Sequence, residues 1–246
     1  VQFPFIGVLA YLVTKVIPGE DEVNKYKALY LDRLLITQAP AIALGNAKKE
    51  LVHLASYAIQ SLEASYAFFD KGDEKYFDKV EKYETAVNSI DEELTTYLID
   101  ISNESLSVSE NEVLASVLDS VRDLERIGDL AVASANLSQH IHNKGIEFSE
   151  TAKAELGDVY NRTHRIVLDS IRVVVDDDKV LAGQVILRQE ELKKLEKQLR
   201  KTHTKRLNNG ECTAQAGINY VDYLSHYTRI ADHAINLVEK ITEGVI

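Results

Sequence analysis

The chain has 246 residues, 45% of them hydrophobic and 27% charged, and a formal net charge of −11. That length suits one large domain or two modest ones with a substantial core, and the acidic balance argues against a nucleic-acid partner, which needs a concentrated basic surface. Three prolines, eleven glycines, no tryptophan and few aromatics favour long helices over strands.

The chain opens on Val1 with an apolar run from Phe3 to Ile17, broken by Thr14 and Lys15 and closed by Pro18-Gly19 and an acidic stretch. Fifteen residues are too few to cross a bilayer, which takes about 20. A basic n-region and a small-residue cleavage site are both missing, so a signal peptide is not expected. Residues 1–19 therefore read as a docking helix or as the end of a membrane-domain helix, and the chain as a piece of a longer protein. It contains no methionine, unusual for a helical protein of this size; methionines omitted from the sequence would leave some spacings one residue short. The lone Cys212 rules out an intramolecular disulfide and fits a reducing compartment.

Residues 20–40 read as a connector. Leu51, Leu54, Ala55, Ala58, Ile59 and Leu62 then recur three and four apart, the stripe of a first helix. The "KGD" at 71–73 stops that helix and can cap the next, which carries Val80, Glu84, Val87, Ile90, Asp91 and Leu94. After the loop "SNESLSVSENE" a third helix is expected from about Ser109 to about His142. "EFSETAKAEL" starts a fourth, and "DDDK" at 176–179 marks its turn.

The plan then repeats. Val80, Glu84, Val87, Ile90 and Asp91 align with Val185, Gln189, Leu192, Leu195 and Glu196 at an offset of 105 (185 − 80). Asp119, Asp123, Arg126, Ile127 and Asp129 align with Asp222, His226, Arg229, Ile230 and Asp232 at 103 (222 − 119). Near-equal offsets over the same landmarks indicate an internal duplication. The expected fold is all-α, a duplicated antiparallel three-helix bundle of six long helices, with repeats at 41–145 and 146–246.

Both repeats concentrate acid on the third helix. Asp119 and Asp123 share a stripe with Arg126 beside them, and Glu125 and Asp129 form a second carboxylate pair. In the second repeat Asp222, His226, Arg229 and His233 fall near one line, with Asp232 alongside. The plain reading is an ion-pair network in which Arg126 and Arg229 neutralise the acids. The functional reading is a divalent metal site, since oxygen ligands with one or two histidines suit Mg, Mn or Fe. No glycine-rich phosphate loop and no convincing nucleophile–histidine pairing is present. A metal-dependent hydrolase would need a base beside an open metal position, and none can be nominated.

"DLERIGDLA" and "RIADHAINL", each on the third helix of its repeat, resemble the signature segments of the PhoU family of phosphate-uptake regulators. That family's motif, an acid, three residues and an Asp, matches Glu125 to Asp129; the second repeat has Thr228 before Asp232, and Leu130 stands where it has His233. "YLDRLLITQAPAIALGNAKKE" and "KRLNNGECTAQAGINYVDYLSHYTRIADHA" resemble the PhoU-like domain appended to bacterial sodium/phosphate cotransporters. The resemblance implies a non-catalytic regulatory domain at the cytoplasmic face of the inner membrane, with the transporter's membrane domain in the same chain and inorganic phosphate as an indirect partner. It also implies metal at the named positions and, by analogy with paired transporters, a homodimer. The alternative is a free-standing PhoU-like adaptor that binds a separate transporter or kinase.

Overall fold

Helix boundaries fall where local chemistry ends one helix and starts the next. The computed structural model describes residues 26–242, so the apolar segment at 1–19 lies outside the described residues. Within them the helices are α1 (Leu34–Gln38), α2 (Pro40–Lys71), α3 (Lys75–Ser102), α4 (Val108–Lys144), α5 (Glu150–Asp176), α6 (Lys179–Asn208) and α7 (Ala214–Thr242). Gly72 ends α2 in the left-handed conformation at φ 65°, and Asp73 Oδ1 accepts the Lys75 amide at the start of α3. Ser107 and Glu110 form a reciprocal capping box at α4. Ser149 caps α5, and Asp178 caps α6 by accepting from Val180 and Leu181. Asp177 occupies the left-handed position that Gly72 occupies in the first repeat, and those two residues are also 105 apart (177 − 72).

The connector expected at 20–40 is more structured than a plain linker, because its apolar Leu-Leu-Ile run folds as α1 and buries Ile36. Pro40 then opens α2 at its first turn, where a missing N–H costs nothing. The buried carboxylate of Glu50 on α2 holds the preceding backbone down, accepting from the amides of Leu29 at 2.7 Å and Tyr30 at 2.8 Å.

Helices α2, α3 and α4 pack on one another, as do α5, α6 and α7; the two bundles meet through α4 against α7 and α2 against α5. One continuous apolar core runs through both. Aromatic rings line the seam. Tyr66 of α2 stacks on Tyr160 of α5 with centroids 3.7 Å apart, Phe69 lies 4.9 Å from Tyr223 of α7, and Tyr223 stacks on Tyr227. Gly157 makes the Tyr66 contact possible, since a Cβ there would stand 2.9 Å from the Tyr66 hydroxyl. The hydroxyl of Tyr223 meets Ser138 Oγ of α4 at 2.6 Å, so a buried polar group is satisfied across the seam.

The second bundle contains a charged staple that the first lacks. Asp169 of α5, its side chain 2% exposed, takes Arg165 at 2.6 Å, Arg172 at 3.4 Å and Arg188 of α6. At the 105-residue offset the first repeat has Gln60, Ala64, Ala67 and Tyr83 in place of Arg165, Asp169, Arg172 and Arg188. No helix among the described residues is long and apolar enough to cross a membrane.

Candidate regulatory site on the paired third helices

The acidic segments sit on α4 and α7, the third helices of the two repeats, and these pack directly against each other. The ten residues singled out in the sequence do not form one set, and three of them lie in the seam between the bundles. Asp123 and His226, equivalent by the repeat, both point at the opposite bundle. Asp123 Oδ1 accepts from Asn236 Nδ2 at 2.8 Å and lies 3.0 Å from His233 Nδ1. His226 Nδ1 lies 3.2 Å from Ser134 Oγ. The Ser134 hydroxyl already donates to the Leu130 carbonyl, so His226 donates from Nδ1 to the serine oxygen. Burial pushes His226 below the ordinary histidine range, partly offset by Asp222, with Arg229 adding to the depression. Asp123, His226 and His233 thus act as polar bolts between bundles.

The remaining acids of the first repeat stay on its outer side. Asp119 pairs with Arg122 at 3.3 Å rather than with Arg126. Arg126 instead reaches Asp129 at 3.0 Å and Glu125 at 3.5 Å. The Glu125 carboxyl, 27% exposed, is raised above its ordinary range. Burial is the main cause, then the charge and hydrogen bond of Asp129 and the charge of Asp91, opposed by Arg126. Asp91 of α3, hydrogen-bonded by Thr95, is also raised by burial. Arg126 serves Glu125 and Asp129, and the charge of Arg122 acts on Asp91.

The equivalent place in the second repeat is already neutralised. Asp232 takes Lys193 of α6 at 3.0 Å and the Gln189 amide at 2.5 Å, not Arg229. Glu196, at the position of Asp91, pairs with Arg200. Thr228, at the position of Glu125, turns its hydroxyl back to the Leu224 carbonyl at 2.8 Å. The first repeat has Asn88 and Thr95 where the second has Lys193 and Arg200. Sequence reasoning missed Lys193 and Arg200, although the 105-residue alignment exposes both.

Among the described residues no three His, Cys, Asp or Glu side chains stand together as a ready ligand set. Glu125 and Asp129 are hard oxygen donors of the kind a divalent cation takes, and Arg126 already pairs with both. The second repeat does not fit such an ion, because a lysine ammonium fills the role.

The raised Glu125 has a measurable consequence. A carboxyl whose folded pKa lies above its unfolded value stabilises the fold when protonated, and that contribution is lost as pH rises through the folded pKa. Glu125→Gln is therefore expected to raise the melting temperature at pH 7. The gain should fade as pH falls towards the ordinary glutamate range; a variant that melts lower at pH 7 would show that the ionised carboxylate contributes more than it costs.

Comparison with known proteins agrees with the fold. The PhoU domain model matches residues 51–137 and 156–241, one match per bundle. The PhoU structure of Pseudomonas aeruginosa superposes with a TM-score of 0.74 at 21% identity, covering 82% of this chain and 97% of that one. The phosphate transport system regulatory protein PhoU of Streptococcus pneumoniae gives 0.73 at 15% identity, covering 82% and 95%. The phosphate-specific transport system accessory protein PhoU homolog 1 of Thermotoga maritima is 30% identical over 128 residues, 52% of this chain. The chain spans about half, 54%, of that relative's length. With both bundles matched and the signature acids on the helices that join them, the chain belongs to the PhoU domain family.

Proposed function

We propose that the chain is a regulatory domain of inorganic phosphate transport, acting by contact rather than by catalysis. The match of both bundles to the PhoU domain carries this reading. The physical device is the first repeat's outer carboxylate group, whose charge changes with bound cation or proton beside helices locked across the seam. Its partner is the membrane domain of a sodium-coupled phosphate transporter in the same chain, at the cytoplasmic face of the membrane. The apolar run from Phe3 to Ile17 ahead of the bundles supports that placement. A free-standing adaptor is the second reading, favoured by the two solved PhoU chains, of which this fold covers 97% and 95%.

Phosphate uptake in cells carrying the gene intact, or lacking the codons for residues 26–242, tests the reading. Uptake that no longer adjusts to phosphate supply after the deletion is expected; unchanged adjustment would sink it. Membrane helices encoded upstream of Val1 favour the fused form, and an initiator codon a few residues upstream favours the adaptor. Elemental analysis tests the cation directly. Bound iron, manganese or magnesium should fall with Asp129→Ala and stay unchanged with Asp232→Ala.

A further inference from the structure

Helix α6 reverses the charge of the molecule. Nine of its thirty residues are Lys or Arg against three Glu, in a chain of net charge −11. Its counterpart α3 runs the other way, with seven acidic residues against three lysines. The buried face of α6 is Ala182, Val185, Gln189, Leu192, Leu199 and His203. Its flanks carry Arg188, Lys193, Arg200 and Arg206, each held in an ion pair. Opposite the buried face stand Lys194, Lys197, Lys201 and Lys205, all exposed, and none takes part in an ion pair among the described residues.

These four lysines follow i, i+3, i+7, i+11 spacing, so they form one stripe within ~80° of arc and roughly 17 Å long. At the 105-residue offset the first repeat has Ser89, Glu92, Thr96 and Asp100, so the stripe is no inheritance of the duplication. The same outward face continues towards the helix start through Glu190, Glu191, Leu187 and Val180, the last two 61% and 75% exposed.

We infer that this outer face of α6 is a docking surface for a bilayer carrying anionic lipid headgroups. A plane touches one face only, so the four lysines meet negative headgroups while most of the chain's acid lies off this face; Glu190 and Glu191 lie on it and oppose part of the attraction. A nucleic acid would instead meet the field of the whole acidic chain. Leu187 and Val180, in line with the stripe, place apolar surface where an interfacial helix uses it, and lysine stems reach along such a boundary with their ammonium groups in the headgroup layer. The inference rests on the reading that the domain works at a membrane, and it names the side that faces it.

Co-sedimentation of the full chain with vesicles tests it. Phosphatidylcholine vesicles give the contribution of the apolar N-terminal residues; vesicles with phosphatidylglycerol mixed in give the added, charge-dependent part. Stronger binding to the anionic vesicles is expected, falling as salt rises. Each of Lys194→Gln, Lys197→Gln, Lys201→Gln and Lys205→Gln should weaken it about fivefold. Leu187→Gln should weaken it as well. These positions are exposed, so the variants fold as the parent does. Equal binding to the two vesicle types, or lysine variants that bind like the parent, overturns the inference. So does lysine-dependent self-association without lipid, which would assign the stripe to the acidic α3 of a second copy. Lost phosphate control with charge-dependent vesicle binding intact counts against the transport reading alone. Control retained without that binding counts against this face alone.

Discussion

Asp169→Ala is expected to lower the unfolding free energy by about 3 kcal/mol, read from chemical denaturation. The substitution removes the one negative charge shared by three arginines on α5 and α6, two of them only about a third exposed. Breaking a buried pair leaves uncompensated charge and typically costs about 3–5 kcal/mol. The lower end applies because Arg165 is 61% exposed and can turn into solvent. The duplication supplies the control. The quartet Arg165→Gln, Asp169→Ala, Arg172→Ala and Arg188→Tyr installs the residues that the first repeat has at these positions. It should recover stability to within about 1 kcal/mol of the parent, since well-packed apolar groups often replace a buried ion pair at little cost. A single Asp169→Ala that costs nothing would show that the arginines are solvated and the staple is decorative.

Tyr223→Ala should cost about 3–4 kcal/mol and change the form of the transition as well as its midpoint. Tyr223 is fully buried between bundles, in ring contact with Phe69, Phe148 and Tyr227. Removing it deletes aromatic packing and the Ser138 hydrogen bond together. Calorimetry is expected to show one cooperative unfolding peak in the parent and two in the variant, as the bundles uncouple. Tyr223→Phe keeps the rings and loses the hydroxyl, so it should cost only about 1 kcal/mol and keep a single peak. A single sharp peak for Tyr223→Ala would place the coupling between bundles elsewhere, in the Asp123–His233 and His226–Ser134 contacts.

The helices were legible in the sequence because their signals are local. Gly72, Ser107 and Asp178 end or cap helices by bonds within a few residues, and an expected third helix from Ser109 to His142 lies within one or two residues of α4 at each end. The site was legible only in part, because periodicity gives the face of a helix and not what covers it. Asp123 reads as a neighbour of Asp119 on one acidic stripe, yet it is buried against His233 and Asn236, more than a hundred residues away. Asp119 remains at the surface with Arg122. The Arg165-Asp169-Arg172 spacing is visible in the sequence, but the decisive partner Arg188 comes from the next helix.

The Lys193–Asp232 pair has a consequence for how a duplicated domain reports on its surroundings. A lysine tethered to the chain cannot be chelated, diluted or exchanged, so Asp232 carries its counter-charge with it. Its twin at Asp91, Glu125 and Asp129 draws its counter-charge from α4 itself, where Arg126 reaches Asp129 and Glu125 and the charge of Arg122 acts on Asp91. The two bundles share one core and one seam, so the two acidic groups sit on one rigid body. The two halves thus keep the acid and differ in what balances it: a lysine from the neighbouring helix on one side, arginines of the same helix on the other.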